Sequence, residues 1–481
     1  MNEETIASIS TTPGESGIGI IRISGEDAIN FASKLYTDKH GDHSLVSFKT
    51  HTIHYGFISD MSGNMIDEVM VSVMKAPNSY TRENVVEINC HGGIRVCRNI
   101  LNEIVNAGAR IAEPGEFTKR AFLNGRLDLT RAEAVMDTIR AQSDISLKQS
   151  VSQLRGSLYD LLKGICSEIL YEIAHIEAAL DDPDSISLDG YDKELSKRIE
   201  SIQTRIKSLI RSYDEGRILT EGVRTVILGN PNAGKSSLLN NLMGEERAIV
   251  TDIPGTTRDT LTEKILIGDI SLVITDTAGI RKTEDTIEKI GISAAKKIAD
   301  TADLIIYVAD SLSDTEIDDE DIIGILKTKP CIVLLNKSDL EITGKITNND
   351  NTNYNISGNA DNNVSKFYNS ITEIEPAAVI STSMITGEGI SELKHTIQRL
   401  FYNEEITGDN QVIITNLRHV KLLKEAYNAL ENVKAGIGSG ASEDLYCIDL
   451  TDAYRALAAI TGAEVSEDIV NEIFSKFCMG K

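Results

Sequence analysis

The chain has 481 residues, 41% hydrophobic and 25% charged, the balance of a well-cored protein; the length alone suggests roughly two to four domains. A formal net charge of −25 sets bulk electrostatics against nucleic acid, so an RNA-directed role requires a local basic patch or a basic partner. No apolar run reaches membrane-spanning length and the polar, acidic start MNEETIASIS is no signal peptide, which predicts a cytoplasmic protein with no membrane association.

Residues 1–124 alternate strand-like runs at 19–23, 68–74 and 85–89 with polar turns and a helix-like segment at 93–107, which predicts a mixed α+β domain. The pairs His40/His43 and His51/His54 have metal-like spacing but lack a third ligand and read as ordinary surface or edge histidines. The six cysteines, Cys90, Cys97, Cys166, Cys331, Cys447 and Cys478, include no C-x-x-C pair and read as free thiols of a reducing compartment. The terminal C-x-x-X lacks a prenylation tail.

Residues 125–216 read as helical. Leu147, Val151, Leu154, Leu158, Leu161, Ile165, Ile169, Ile173, Ile176 and Leu180 recur at steps of three or four, which predicts one long helix with a packing face. The Asp-Asp-Pro-Asp at 181–184 stops it, because proline lacks an N–H and disfavours helix in the residue before it. A second helix is expected over about 193–215.

The period changes in 217–402. Short apolar runs at 223–228, 272–275, 304–309, 332–335 and 378–380 predict a doubly wound parallel sheet buried on both faces. Residues 403–481 turn helical again at 417–434, 444–461 and 466–474, so the sheet domain is expected to be inserted between two halves of one helical domain. The stretch 347–363, dominated by Asn, Asp and Thr, reads as a mobile surface insertion with no site of its own.

The inserted domain carries the chemistry. Gly229-Asn-Pro-Asn-Ala-Gly234-Lys235-Ser236 matches G-x-x-x-x-G-K-[ST] directly after a predicted strand. Its glycines free backbone N–H groups for phosphates, Lys235 reaches the β/γ-phosphates, and Ser236 is placed to ligate Mg²⁺. The helix that follows sets a helix N-terminus under the anion. Asp276-Thr277-Ala278-Gly279 suits an outer-shell magnesium carboxylate and a γ-phosphate amide. In Asn336-Lys337-Ser338-Asp339, Asp339 can accept from the N1–H and 2-amino group of guanine, which adenine does not offer, while Asn336 and Lys337 buttress the site. Ser383-Met384-Ile385 stands where GTPases carry Ser-Ala-Lys and can offer a backbone amide to guanine O6. All four elements in order predict GTP binding. Ile280 occupies the place where Ras-like enzymes put a water-orienting Gln, so the group that orients water must lie elsewhere.

At this point the residues resemble one family over nearly the whole chain, the MnmE (also TrmE) tRNA-modification GTPases. The likeness rests on Gly17-Ile-Gly-Ile-Ile-Arg22-Ile-Ser-Gly25, Pro77-Asn-Ser-Tyr-Thr81, Cys90-His-Gly-Gly93 and Pro114-Gly-Glu-Phe-Thr118. It continues through Arg120-Ala-Phe-Leu-Asn-Gly-Arg-Leu-Asp128, Thr251-Asp-Ile-Pro-Gly-Thr-Thr-Arg-Asp259 and Phe477-Cys-Met-Gly-Lys481. The 347–363 stretch lies outside it.

The resemblance implies an α/β and α+β multidomain chain. Residues 1–124 would form an N-terminal α+β domain for folate binding and dimerisation, and 125–216 the first part of a helical domain. Residues 217–402 would be an inserted Ras-like, doubly wound P-loop G domain, and 403–481 the second helical part. It implies a homodimer that forms a heterotetramer with the FAD protein MnmG. Together they would modify C5 of the wobble uridine (U34) of certain tRNAs, using a one-carbon unit from 5-formyl- or methylene-tetrahydrofolate. The substituent would be of the carboxymethylaminomethyl or aminomethyl type. The partner would then carry much of the tRNA binding, which answers the charge objection.

Carried over residue by residue, Arg22, Glu87, Arg126 and Lys481 match the folate positions; a carboxylate suits a pterin edge, and Arg or Lys suit glutamate carboxylates. The GTP contacts would include Asn232, Ala233, Ser237, Thr251, Asp252, Ile253, Pro254, Gly255, Thr256 and Thr257. Thr257 matches a second Mg²⁺ ligand, and Asn232, Thr251, Ile253 and Thr256 match a K⁺ site. Glu288 matches a glutamate that orients the attacking water, and Cys478 a cysteine needed for modification; without the resemblance these read as a solvated helix charge and a buried small hydrophobe. The competing reading is a regulatory GTPase switch in ribosome assembly, which has no use for a folate-type N-domain or a terminal Cys-Met-Gly-Lys. A folate enzyme without nucleic acid leaves the GTPase motifs unexplained.

Overall fold

The computed structural model describes residues 4–230, 232–245, 262–275, 299–311, 320–340, 345–350, 353–357, 371–401 and 412–480. The chain divides into two units, one of residues 1–139, 150–208 and 418–481, the other of 140–149 and 209–417.

The first unit holds a seven-stranded sheet built from β1 (Ile6–Ile9), β2 (Gly19–Ser24), β3 (Tyr36–Thr37), β4 (Thr52–Ser59), β5 (Met65–Met74), β6 (Val85–Cys90) and β7 (Arg110–Ile111), in the order β3-β4-β5-β6-β2-β1-β7. Every pairing is antiparallel except β1 with β7. Alternation decides the faces. Val69, Val71 and Val73 of β5 are buried while Glu68 and Met70, which alternate with them, are exposed, the period of two expected of a half-covered strand. The buried face packs with the helices Ala28–Leu35 and Ile94–Asn106 through Ala32, Leu35, Ile100 and Ile104. Arg22 and Glu87 lie opposite one another on β2 and β6 and point to the other face.

The helical part of this unit is built on Ser157–Asp181, Tyr191–Arg211, Leu417–Ser439 and Glu443–Thr461. Glu443–Thr461 packs along Ser157–Asp181. Gln203 Nε2 donates to Glu431 at 2.8 Å and the Tyr446 hydroxyl to Asp192 at 3.2 Å. The expected single helix through 147–180 is two: Asp144–Arg155 stops at Gly156 (φ +103°) and Ser157–Asp181 begins there. The apolar register runs across the break, which is why periodicity alone misses it. Leu158, Ile165, Ile169 and Ile176 are buried, while Leu147 and Leu180 are exposed.

The second unit is a six-stranded sheet of β8 (Val223–Leu228), β9 (Thr262–Ile267), β10 (Ile270–Thr275), β11 (Leu304–Asp310), β12 (Cys331–Asn336) and β15 (Ala378–Thr382), in the order β15-β12-β11-β8-β10-β9. All strands run parallel except β9. Alternate residues feed two cores. Ile306, Val308, Ile332 and Leu334 join Leu238, Leu242, Leu393 and Ile397 on one side. Ile305, Tyr307, Val333 and Leu335 join Ile325 and Leu326 on the other. This is the continuous burial that the apolar runs predict.

The 347–363 stretch, read as a surface insertion with no site of its own, overlaps a short hairpin. Lys345–Asp350 (β13) and Asn353–Ser357 (β14) pair antiparallel. The register sets Ile346 opposite Ile356 and Tyr354 opposite Asn348, so the few β-formers in a polar segment suffice for a two-stranded ladder. Residues 351–352 and 358–363 lie outside the described residues.

Candidate functional site

In an open parallel sheet, ligands bind beyond the carboxyl ends of the strands, where successive connections leave in opposite directions. Here β8 is that strand, flanked by β10 and β11, and the segments after β8, β12 and β15 carry the sequence motifs.

The loop after β8 is held in a conformation only its glycines allow. Gly229 has φ +142° and a side chain there would meet the Val308 carbonyl at 2.1 Å; Gly234 has φ +109° and would meet Asn336 Nδ2 at 2.2 Å. Asn232, between them, also has a positive φ of 63° and is exposed, as asparagine tolerates. Ala233 is buried. Lys235 opens the helix Lys235–Glu245 and turns its ammonium onto the loop, donating to the carbonyls of Gly229 (2.6 Å) and Asn230 (2.7 Å). Ser236 and Ser237 are exposed in the first turn of that helix. A positive side chain, a glycine-shaped turn and a helix N-terminus therefore meet in one loop, an arrangement suited to an anion.

Asn336, the last residue of β12, is buried and bridges two loops. Its Nδ2 donates to the Ala233 carbonyl at 2.8 Å, and its Oδ1 accepts from Met384 N at 3.2 Å. Lys337 (φ +72°) pairs with Asp310 at the end of β11, a partner no motif named. Asp339 is exposed. Ser383 is buried and its hydroxyl accepts from the amides of Ile385 (3.4 Å) and Thr386 (3.2 Å), while the Ile385 side chain is 87% exposed. The structure thus brings Ala233, Gly234, Lys235, Asn336 and Met384 into one neighbourhood. Thr251, Asp252, Ile253, Pro254, Gly255, Thr256, Thr257, Asp276, Thr277, Ala278, Gly279, Ile280 and Glu288 lie outside the described residues.

A second constellation lies in the first unit. Arg22 Nε donates to Glu87 at 2.8 Å, and an Arg22 terminal nitrogen donates to the carbonyl of Gly480 at 3.3 Å, next to the chain end. The Ser10 hydroxyl donates to the same carbonyl at 3.2 Å. The Arg22 guanidinium lies 5.6 Å from the centre of the Tyr80 ring, and that of the exposed Arg126 lies 4.6 Å from it. The Tyr80 hydroxyl is fixed on Thr118 at 2.9 Å. Arg22 and Arg126 therefore meet at one aromatic ring, with Glu87 paired to Arg22, although 104 positions of chain separate Arg22 from Arg126. Tyr80 stands inside a quoted motif, but only its cation–π contacts show why. Lys481 lies outside the described residues. Cys478 is half-buried against Phe474, Phe477 and Met136, and its carbonyl accepts from Gly115 N at 3.4 Å.

The other candidates have ordinary partners. His43 Nδ1 bonds the Tyr36 carbonyl (2.8 Å), and the His54 ring stacks on Phe48 at 3.5 Å. Cys90 and Cys97, seven positions apart, are buried neighbours with sulfurs 3.8 Å apart, and burial pushes the Cys90 thiol up to about 12. Among the described residues no group of three or more His, Cys, Asp or Glu is placed to hold a metal, and no helix is long and apolar enough to cross a membrane.

Comparison with known proteins identifies the chain's relatives. Residues 5–126 match the profile of the GTP-binding protein TrmE N-terminus, and residues 129–478 that of the MnmE helical domain. A tRNA modification GTPase MnmE of Lachnoclostridium phytofermentans is 44% identical over 481 residues, covering 100% of both chains. Those of Acetivibrio thermocellus and Bacillus subtilis are 43% and 42% identical, covering 100% and 99% of this chain and 99% and 100% of their own. Among solved structures, the G domain of the T. maritima FeoB iron transporter aligns with 38% of this chain and 99% of its own at 24% identity, with a TM-score of 0.24.

Proposed function

The chain belongs to the MnmE family of tRNA modification GTPases, and on that premise we propose that it couples GTP hydrolysis to modification of C5 of the wobble uridine. It would act as a homodimer in the cytoplasm with the flavoprotein MnmG, transferring a one-carbon unit from a tetrahydrofolate. The domains proposed are 1–124, 125–216, 217–402 and 403–481. The observation that carries the proposal is the pairing of two different sites in one chain: a phosphate-binding loop tied to a base-reading loop by Asn336, and an Arg22–Glu87 pair beside the chain end.

The residues suit the groups proposed. Arg22 and Arg126 offer cations to the glutamate carboxylates of a folate, Glu87 offers a carboxylate to its pterin, and Tyr80 an aromatic face. Ser236 offers Mg²⁺ a hard oxygen beside the phosphates, with Thr257 as the second ligand. Asn232 offers an oxygen to K⁺, with Thr251, Ile253 and Thr256 completing the set. Potassium would supply the positive charge that an arginine finger supplies elsewhere. Lys235 holds the phosphates, Asp339 selects guanine, and Glu288 orients water.

The homodimer reading is supported by the face of the N-terminal sheet turned away from its core. Ile53, Tyr55 and Met70 are exposed there, with Tyr55 opposite Met70, and Ile53 shares a row across the strands with Ser72, Glu87 and Arg22. The decisive experiment is mass spectrometry of tRNA nucleosides from cells lacking this protein. Loss of the C5 substituent at the wobble position is expected; unaltered wobble uridines would refute the reading.

A further inference from the structure

The loop that follows β15 is pinned from two sides. Asn241, on the inner stretch of the helix Lys235–Glu245, donates from Nδ2 to the Met384 carbonyl at 2.8 Å and approaches the Met384 sulfur at 3.7 Å. Asn336 accepts from Met384 N at 3.2 Å. A trans peptide is planar, so fixing the Met384 carbonyl also fixes the direction of the Ile385 N–H, which points the opposite way from the same plane. The acceptor that Ser383 Oγ offers this N–H lies at 3.4 Å, the long end of a hydrogen bond, so the amide retains capacity for a ligand. Asn241 therefore acts on the base site without standing in it, and it does so from the helix that begins at the phosphate-binding lysine.

We infer that Asn241 is a positioning residue that sets discrimination at the 6-position of the purine, by aiming the Ile385 amide at a carbonyl oxygen there. The inference rests on the reading of Asp339 and the 383–385 loop as the guanine site. It also explains how the loop works with Met and Ile in place of Ala and Lys. Side chains other than alanine are tolerated because the recognition group is a backbone N–H, and the side-chain amide of Asn241 holds that backbone. No sequence pattern signals Asn241, because the contact joins positions 143 residues apart.

The test uses the full-length protein and two nucleotides, GDP and 2-aminopurine riboside 5′-diphosphate. The second keeps the 2-amino group and phosphates but has neither an oxygen at position 6 nor a proton on N1; the N1 difference is common to parent and variants, so each nucleotide is compared between parent and variant. In Asn241→Ala the GDP affinity is expected to fall roughly 2- to 12-fold, the worth of one neutral hydrogen bond, mainly through faster dissociation. Asn241→Asp, which puts an acceptor against the Met384 carbonyl, is expected to do at least as much damage. Affinity for the 2-aminopurine nucleotide is expected to change less than twofold in both, so the preference for GDP over it narrows by the same factor. Equal losses for the two nucleotides would make Asn241 a mere support of the helix and overturn the inference, as would unchanged GDP affinity in both variants. Asp339→Asn separates this from the wider reading: if it shifts preference to xanthine nucleotides while the Asn241 variants do nothing, only the role of Asn241 fails. If Asp339→Asn leaves guanine binding intact, the base site itself is misassigned.

Discussion

The two units build their sites by opposite means. In the nucleotide unit the candidate binding groups are backbone amides and short side chains on loops at the carboxyl ends of parallel strands, and the sheet below is core on both faces. In the N-terminal unit the candidate binding groups are long charged side chains standing on the open face of an antiparallel sheet. A loop site is contiguous in sequence, because successive amides must cup one phosphate. A sheet-face site is scattered, because its members are neighbours across strands. The first can be recognised from a motif and a physical argument; the second needs either the fold or a relative.

The largest effect expected falls on the loop site. Turnover of GTP is predicted to be faster in KCl than in matched NaCl, up to roughly 10³-fold, the lower end of what an arginine finger supplies. Asn232→Ala should remove the preference with little loss of GTP binding, since the phosphates are proposed to be held by Lys235 and backbone amides. Equal rates in the two salts for the unaltered protein would sink the potassium reading. Glu288→Ala should slow hydrolysis in KCl while light scattering with a transition-state mimic still reports potassium-dependent pairing.

Next comes a buried charge cluster in the first unit that neither site uses. Glu133 accepts from Arg418 at 3.0 Å and bonds His419 Nε2 at 2.7 Å, with His419 only 2% exposed. Burial pushes the Glu133 carboxyl up, but the charges and hydrogen bonds of His419 and Arg418 outweigh it and hold the group below its ordinary value of 4.5. Glu133→Ala is predicted to cost about 3–5 kcal/mol, because Arg418 loses a buried counter-charge. The sign with pH follows from the direction: a depressed folded value gives stability that is present above pH 4.5 and lost as pH falls through the folded value. Calorimetry should show one transition lowered, and the one raised by GDP unmoved. A variant as stable as the parent would refute it.

The difference between the units also measures how much was legible. The apolar runs located β8, β11, β12 and β15 because strands buried on both faces cannot alternate. Thr52–Ser59 escaped, since a half-exposed strand with His54 and Gly56 inside it has little pattern to find. The break at Gly156 escaped because the helical period continues through it. The loop glycines announced the phosphate site, whereas the Asn241 clamp and the Tyr80 ring are contacts over long separations and leave no spacing to read. Arg22 and Glu87 were named only through the family likeness; as charges in a strand they look like any surface pair.

A smaller effect separates base reading from phosphate binding within the loop site. Asp339→Asn replaces an acceptor by a donor and should move preference from guanine to xanthine. Losing a charged hydrogen bond is worth about 1.5–3 kcal/mol, or roughly 10- to 150-fold in GTP affinity. Calorimetric titration with GTP and XTP measures both arms, and unchanged GTP binding would show that Asp339 does not read the base.

The smallest predicted effect probes the sheet-face site, where partners share the load. Arg22 makes one bond to Glu87 and one to the Gly480 carbonyl, so its removal deletes a cation and one of the two hydrogen bonds on that carbonyl, leaving the one from Ser10. Arg126, on the same Tyr80 ring, remains to meet a folate carboxylate, which limits the loss. Arg22→Ala is therefore expected to weaken binding of 5-formyl-tetrahydrofolate about 10-fold, close to 1.4 kcal/mol. Deleting Lys481 should act in the same direction, because the residue before it is the one Arg22 holds. Isothermal titration of the folate, with GDP binding as the control for folding, measures this. If both variants bind folate as the parent does, the Arg22–Glu87 pair is a structural tie between strands β2 and β6 rather than a binding site.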